Sequence, residues 1–423
     1  MGQCCAKSPS TEDEHHNSSD ELPKEIQEFN KGGKNKLKIL LLGAGESGKT
    51  TIMKQMKILH IQGFSKKERM EYVPVIRSNI FQAMSSIVKN MGSLDPPVEL
   101  ENSENREAFN TFLSLEDPST GSELNEEIFD DIKLLWQDPG IQKAYARSNE
   151  YYLIDSAEFF LNRIDEIREE NFVPDDQFIL RSRRQTTGLQ KIDFSLAVPK
   201  SSGGGHLNFS MCDVGGQRQE RMKWIYGMED IQIVLFLVSC AGFNMMLQED
   251  SSTNRLEEAL DLFRDMFENE FLMNAGFILF LNKQDLLKEK LENGAKMEEY
   301  FPEFVTYELA PEDIDKNEEN REYLRARAFI KDKFMALTQP EMPVNETKPS
   351  TAVATKQRKF GMQESRNREN RQMSLFTVNY KRKKPDVYTH YTVATDTENI
   401  NKVFLDVQSM IIKWNLEKMG MTV

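Results

Sequence analysis

Gly43-Ala44-Gly45-Glu46-Ser47-Gly48-Lys49-Thr50 decides the reading of this chain. The apolar run Leu37-Lys38-Ile39-Leu40-Leu41-Leu42 precedes it, and the helix-forming run Thr51-Ile52-Met53-Lys54-Gln55-Met56 follows. The order is strand, glycine-rich turn, helix, with the spacing G-x-x-x-x-G-K-S/T. Glycines let the backbone close round a phosphate, so that successive N–H groups form an anion-binding nest. The N-terminus of the following helix adds the positive end of its dipole. Lys49 reaches terminal phosphates, and the Thr50 hydroxyl is placed to hold Mg²⁺. An ordinary glycine turn matches one or two positions of such a pattern, not all of them between a strand and a helix. The stretch predicts a nucleoside triphosphate site and leaves the base and the reaction open.

The remaining composition narrows the class. At 423 residues, 39% hydrophobic and 29% charged, the chain suits about two to three globular domains with a real core. A net charge of −14 argues against a general nucleic-acid binder. No apolar run approaches the ~18 residues of a membrane span, and the N-terminus lacks the charged-then-apolar layout of a secretory signal. Cysteines occur only at Cys4, Cys5, Cys212 and Cys240. The last two sit in apolar runs and read as small buried hydrophobes, so no disulfide framework is implied and a reducing compartment is expected. Cys4 and Cys5 lie beside Gly2, where acyl chains are attached. Ala6 stands where the myristoylation pattern has Ser or Thr, which favours palmitoylation of Cys4 or Cys5 over myristoylation of Gly2.

Hydrophobic periodicity divides the chain. Residues 1–35 read as a polar arm followed by a short amphipathic helix, with Leu22, Ile26 and Phe29 at helical spacing and Gly32-Gly33 as its stop. Across 64–180 only helical spacing occurs. Val73, Ile76, Ile80, Met84 and Ile87 show it, then Ile128, Ile132 and Leu135, then Leu153, Phe160, Ile164 and Ile167. From 191 the period changes. Ile192-Asp193-Phe194-Ser195-Leu196 and Leu207-Asn208-Phe209-Ser210-Met211 alternate on either side of a glycine turn, as a hairpin does. Continuous apolar runs at 233–238 and 277–281 predict central parallel strands. Helices are expected at 254–271, 286–291 and 322–337, then a strand at 387–393 and a helix at 400–416. The expected fold is α/β: a mostly parallel sheet flanked by helices, built from 36–63 and 181–423, with an all-helical domain inserted at 64–180. Residues 339–385 interrupt the pattern with a basic excess that includes Lys356, Arg358, Lys359 and Arg371. They read as a solvated surface insertion, with contact to acidic lipid or a protein partner as the alternative.

Four further motifs fall at strand ends. Asp213-Val214-Gly215-Gly216-Gln217 follows the second hairpin strand. An acid there suits the Mg²⁺ water shell, Gly216 lets a backbone N–H approach the terminal phosphate, and Gln217 is placed to orient an attacking water. Asn282-Lys283-Gln284-Asp285 closes the strand at 277–281. A carboxylate at Asp285 accepts from guanine N1–H and the 2-amino group, and adenine offers neither donor, so this residue selects GTP over ATP. Thr392-Val393-Ala394-Thr395 precedes the last helix, and the Ala394 N–H suits guanine O6. Arg181-Ser182-Arg183-Arg184-Gln185-Thr186-Thr187-Gly188 lies where the helical insert rejoins the sheet. Thr186 is placed to complete a Mg²⁺ shell. Three arginines compete on charge alone to neutralise a leaving γ-phosphate.

Together these motifs, in this order and around a helical insert, resemble the alpha subunits of heterotrimeric G proteins from residue 36 to 423, apart from two inserted stretches. The resemblance implies a Ras-like GTPase domain and a helical domain with GTP or GDP clamped between them. It implies that Arg183 is the arginine finger, that Gln217 positions water, and that Thr50 and Thr186 hold Mg²⁺. Nucleotide contacts then fall on Gly45 through Thr51, on Asp155 and Ser156, and on Leu180, Arg181 and Arg183. Further along they fall on Asp213 and Gly216, on Asn282, Lys283 and Asp285, and on Thr392, Ala394 and Thr395. Glu46 is implied to pair with Arg183, and the loops around Thr186 and 214–228 to be switches. Implied partners are a beta–gamma dimer, a seven-helix receptor and an effector, met at the cytoplasmic face of the plasma membrane through the lipid anchor. One departure bears on the beta–gamma contact: the N-terminal helix that the family uses for it is short here and ends at Gly32-Gly33. Two readings from other classes stand beside this one. An ATP-dependent phosphotransferase also uses a phosphate loop, and Asp285 argues against it. A non-catalytic protein with a degenerate pocket is disfavoured because each phosphate, metal and base position carries a competent residue.

Overall fold

The computed structural model describes residues 36–114, 125–198, 204–339 and 387–418. The expectations on Gly2, Cys4, Cys5 and the N-terminal helix lie outside these residues, as do the insertion from 340 onward and the tail after 418.

Six strands form one sheet: β1 (Lys36–Leu42), β2 (Leu189–Ala197), β3 (His206–Val214), β4 (Ile233–Ser239), β5 (Gly276–Asn282) and β6 (Val387–Tyr391). Their spatial order is β2-β3-β1-β4-β5-β6. Only the β2–β3 hairpin pairs antiparallel; the other pairs are parallel. Ile39, Leu40, Leu41 and Leu42 of β1 are buried, as is all of β4 from Ile233 to Val238. A strand covered on both faces needs no polar face, which is why these segments read as unbroken apolar runs. Because β1 lies between β3 and β4, the chain order reverses at β1. Ligands of open α/β sheets bind at such a point, beyond the carboxyl ends of the strands. The phosphate loop leaves β1 there.

Helices cover both faces. On one, α1 (Lys49–His60) and α12 (Thr397–Lys418) bury Ile52, Met56, Ile400 and Phe404 against Leu41, Leu237 and Phe280. On the other, the helices following β4, β5 and the next loop bury Phe263, Leu287 and Phe329 against Phe236 and Leu279. These are α9 (Arg255–Phe267), α10 (Gln284–Glu292) and α11 (Arg321–Ala336).

Among the described residues of the segment between α1 and β2 every regular element is a helix, and the segment has a hydrophobic core of its own. Its long helix α2 (Lys66–Met91) starts at a capping box, with Ser65 and Glu68 satisfying each other's backbone N–H. Around it pack α3 (Arg106–Ser114), α4 (Glu126–Trp136), α5 (Pro139–Ala146), α6 (Ala157–Leu161), α7 (Ile164–Arg168) and α8 (Asp176–Arg181). Leu153, Phe160, Ile164 and Ile167 recur at helical spacing, and the backbone there is two short helices with Leu153 outside both. All four side chains are nevertheless buried. Helical spacing reports which side chains face the core, and short turns satisfy it as well as a continuous helix does. Likewise the stretch 254–271 ends as α-helix at Phe267, and a 3₁₀ turn, Glu270–Leu272, follows. Among the described residues no helix is long and apolar enough to cross a membrane.

Gly43 fixes the exit from β1. It holds φ +138°, and a Cβ there would lie 2.3 Å from the backbone oxygen of Leu237. Backbone of a central strand cannot move aside. Gly43→Ala is therefore expected to destabilise the fold by about 2 kcal/mol or more, read as a lowered urea midpoint at unchanged m-value. An unchanged midpoint would refute this account of the turn.

Candidate nucleotide site

A cleft of about 580 Å³ opens at the carboxyl edge of the sheet, between the phosphate loop and the helical segment. The phosphate loop forms its floor. Gly48 holds φ +104° and Glu46 φ +62°, so the chain winds through left-handed conformations into α1. Lys49 is 6% exposed and donates 2.9 Å hydrogen bonds to the carbonyls of Gly43 and Ala44. Burial pushes its pKa down to about 8, against the attraction of Asp213. Gly216 packs against this lysine so closely that a Cβ would come within 2.3 Å of Nζ. Ser47 Oγ is buried without a hydrogen-bond partner among the described residues.

Three oxygen-bearing side chains from three segments meet beside Lys49. The Thr50 hydroxyl donates to Asp213 Oδ2 at 2.6 Å and shares a 2.8 Å hydrogen bond with Thr186 Oγ1. Asp213 is fully buried, and among the described residues its Oδ1 has no hydrogen-bond partner. Burial raises its pKa, against Lys49 and the Thr50 hydrogen bond. An all-oxygen set with an orphaned carboxylate oxygen suits a small hard cation that keeps water ligands, and so fits Mg²⁺.

The arginines separate by geometry. Arg183 Nη2 lies 2.9 Å from Glu46 Oε1. Its backbone N–H and carbonyl are both bound by the Asn79 side chain on α2, at 2.7 and 2.8 Å. Arg181 turns instead to Gln177 and the face of Phe159, and Arg184 is exposed. Arg183 alone of the three is fastened to the phosphate loop. Gln217 lines the same cleft and accepts a hydrogen bond from Gln185.

The base side is one hydrogen-bonded unit. Asn282 is buried; its Nδ2 donates to the Ser47 carbonyl at 2.9 Å, and its Oδ1 accepts from the Ala394 N–H at 2.9 Å and the Thr392 hydroxyl at 3.2 Å. Lys283, in the left-handed region at φ +61°, pairs with Asp155 of the helical segment. Burial alone would raise the Asp155 pKa, but Lys283 holds it below the usual carboxylate range. Ser156 donates to the Arg181 carbonyl at 2.9 Å, and Thr51 to that of Leu180 at 3.5 Å. Asp285 and Thr395 line the cleft opening. Each residue expected at the site thus lies on this cleft or one hydrogen bond from it.

Sequence reasoning passed over three participants. Arg255, 9% exposed, binds the second oxygen of Glu46 at 3.0 Å. Lys54 donates to the carbonyls of Ile179 and Ser182, both at 2.8 Å, and burial pushes its pKa to about 7. Asn79 is a buried amide on the apolar face of α2. Asn79 alone carried a signal, as a polar residue between Ile76 and Ile80 at core spacing.

Residues 16–411 match the family model of the G-protein alpha subunit, and the chain belongs to that family. It is 42% identical over 386 residues to the guanine nucleotide-binding protein G(f) subunit alpha of Drosophila melanogaster, covering 91% of this chain and 88% of that one. It is 39% identical over 420 residues to a G(s) subunit alpha of Schistosoma mansoni, covering 98% of each. With the G(olf) subunit alpha of Homo sapiens the identity is 37% over 426 residues, covering 99% of each. The chain is accordingly a GTP-binding, GTP-hydrolysing switch protein of the alpha-subunit kind.

Proposed function

We propose that the cleft holds GTP or GDP with Mg²⁺ and hydrolyses GTP by the residues the geometry gathers. The observation that carries this is the Glu46–Arg183 pair beside the Thr50–Asp213–Thr186 cluster: a cation and a hard-metal site on the two flanks of one phosphate loop. Lys49 and the loop N–H groups bind the phosphate chain. Thr50 and Thr186 hold the metal, with Asp213 on its water shell. Bound there, Mg²⁺ neutralises charge on the β- and γ-phosphates. Gln217 orients a water in line with the γ-phosphorus. Its attack breaks the bond to the bridging oxygen, giving GDP and inorganic phosphate. Arg183 offsets the charge that develops. Asp285 reads guanine, with the Ala394 N–H on O6.

The same reading extends to boundaries and partners. Residues 36–63 and 181–423 form the GTPase domain and 64–180 the helical domain. Receptor, beta–gamma dimer and effector are the partners, and Cys4 or Cys5 carries a lipid that holds the chain at the membrane. A competition titration tests the site: GTP and GDP should displace a fluorescent GDP analogue at least about 100-fold better than ATP. Equal displacement by ATP would return the phosphotransferase reading. A pull-down in GDP and GTP-analogue states, with and without 339–385, tests the partners.

A further inference from the structure

Glu46 carries one negative charge and meets two guanidinium groups. Its Oε1 takes Arg183 and its Oε2 takes Arg255. The two cations repel, and the one carboxylate in contact does not balance both; Glu249 adds only a weaker attraction on Arg183. Tyr152 covers this imbalance. The centre of its ring lies 5.0 Å from the Arg183 guanidinium carbon and 5.7 Å from that of Arg255. Both fall within the ~6 Å over which the negative face of an aromatic ring attracts a cation. Burial also disfavours the charged form of Arg183, against the pull of Glu46. The ring adds a second offset without adding a charge.

The phenol oxygen takes no part. It is buried with no hydrogen-bond partner among the described residues. What anchors Tyr152 is its backbone, whose carbonyl accepts from the Ser86 hydroxyl on α2. The ring is thereby tied to the helical core, while Glu46 belongs to the phosphate loop and Arg255 to the start of α9. The contact crosses the seam that a nucleotide must pass. The Lys283–Asp155 pair also joins the helical segment to the sheet end.

We propose that Tyr152 is a positioning residue: its ring face holds Arg183 and Arg255 together on Glu46 and keeps the helical segment closed over bound nucleotide. This rests on reading the cleft as a guanine nucleotide site. Loss of the ring frees the seam, so GDP leaves faster. It also lets Arg183 wander, so hydrolysis slows. Ordinary packing would depend on side-chain volume, whereas this hold depends on an aromatic face.

The test uses the full chain as wild type, Tyr152→Phe, Tyr152→Leu and Tyr152→Gln. GDP release is followed with a fluorescent GDP analogue, and hydrolysis in single-turnover assays on preloaded GTP. Tyr152→Phe should stay within about twofold of wild type in both. The Leu and Gln variants should release GDP about tenfold faster and hydrolyse GTP severalfold more slowly. Leucine has comparable apolar bulk, so a Leu variant that behaves as the Phe variant does would overturn the proposal. A Leu or Gln variant that cannot retain GDP at all, while Tyr152→Phe does, supports it. Failure of the wild type to bind GDP would instead sink the nucleotide reading itself, before any variant is compared.

Discussion

Arg183→Cys is expected to slow single-turnover GTP hydrolysis by on the order of 10³-fold, and Gln217→Leu to slow it comparably, with both variants still loading GTP. The first magnitude is the general one for arginine fingers of GTPases, a class whose known examples include the alpha subunits themselves. What the structure supplies is the reason to choose Arg183. It alone of the three linker arginines is held at the phosphate loop, by Glu46 at 2.9 Å and by Asn79 through its own backbone. A finger fixed before the reaction loses little freedom at the transition state, and its charge acts in a water-poor cleft. Gln217 follows Gly216, whose backbone abuts Lys49, so its amide starts from the place where the phosphate chain ends. Phosphate release after Mg²⁺ is added to GTP-loaded protein measures both. The two variants should part company on GDP release. Arg183→Cys also breaks the cluster under Tyr152 and should speed release, whereas Gln217, which among the described residues is hydrogen-bonded to Gln185 and to no member of that cluster, should not when replaced. Unchanged hydrolysis in both would remove them from the mechanism.

How far the sequence revealed this site follows from how each part is built. The phosphate loop was legible because it is contiguous: eight residues between one strand and one helix carry the whole anion nest. β1, β4 and β5 were legible because burial on both faces writes itself as an apolar run, and β2 and β3 because a hairpin writes itself as alternation; the strand expected at 387–393 is the partly buried edge strand β6, which ends at Tyr391. The helical segment was legible as helices, but the break between Leu161 and Ile164 was not, since buried spacing continues across it. Arg255 is 209 residues from the Glu46 it binds. No local pattern marks an arginine just inside a helix as the partner of a distant acid. Tyr152 is harder still, because a tyrosine in a run ending at a helix is ordinary, and only its place over two guanidinium groups gives it meaning.

Asp285→Asn is expected to lower affinity for GTP by on the order of 10²-fold and to raise it for xanthosine triphosphate, reversing the preference. Guanine presents two donors side by side, N1–H and the 2-amino group, and a carboxylate answers both with acceptors. Asparagine answers with one acceptor and one donor, which leaves one N–H facing another N–H. Xanthine keeps N1–H and has a carbonyl at position 2, so it pairs with the amide as guanine pairs with the acid. The substitution should change recognition and little else. Among the described residues no hydrogen bond from the chain is made to the Asp285 side chain, whereas its neighbour Asn282 ties the strand end to the Ser47 carbonyl and the Ala394 N–H. Those ties hold position 285 in register with the phosphate loop whichever side chain it carries. Equilibrium competition against a fluorescent GDP analogue measures both nucleotides, and a melting curve without nucleotide should be unchanged. If the Asn variant keeps its preference for GTP over xanthosine triphosphate, the Asp285 carboxylate is not the group that reads the 2-amino group, because a site left with O6 and N1–H alone would accept xanthine and guanine equally.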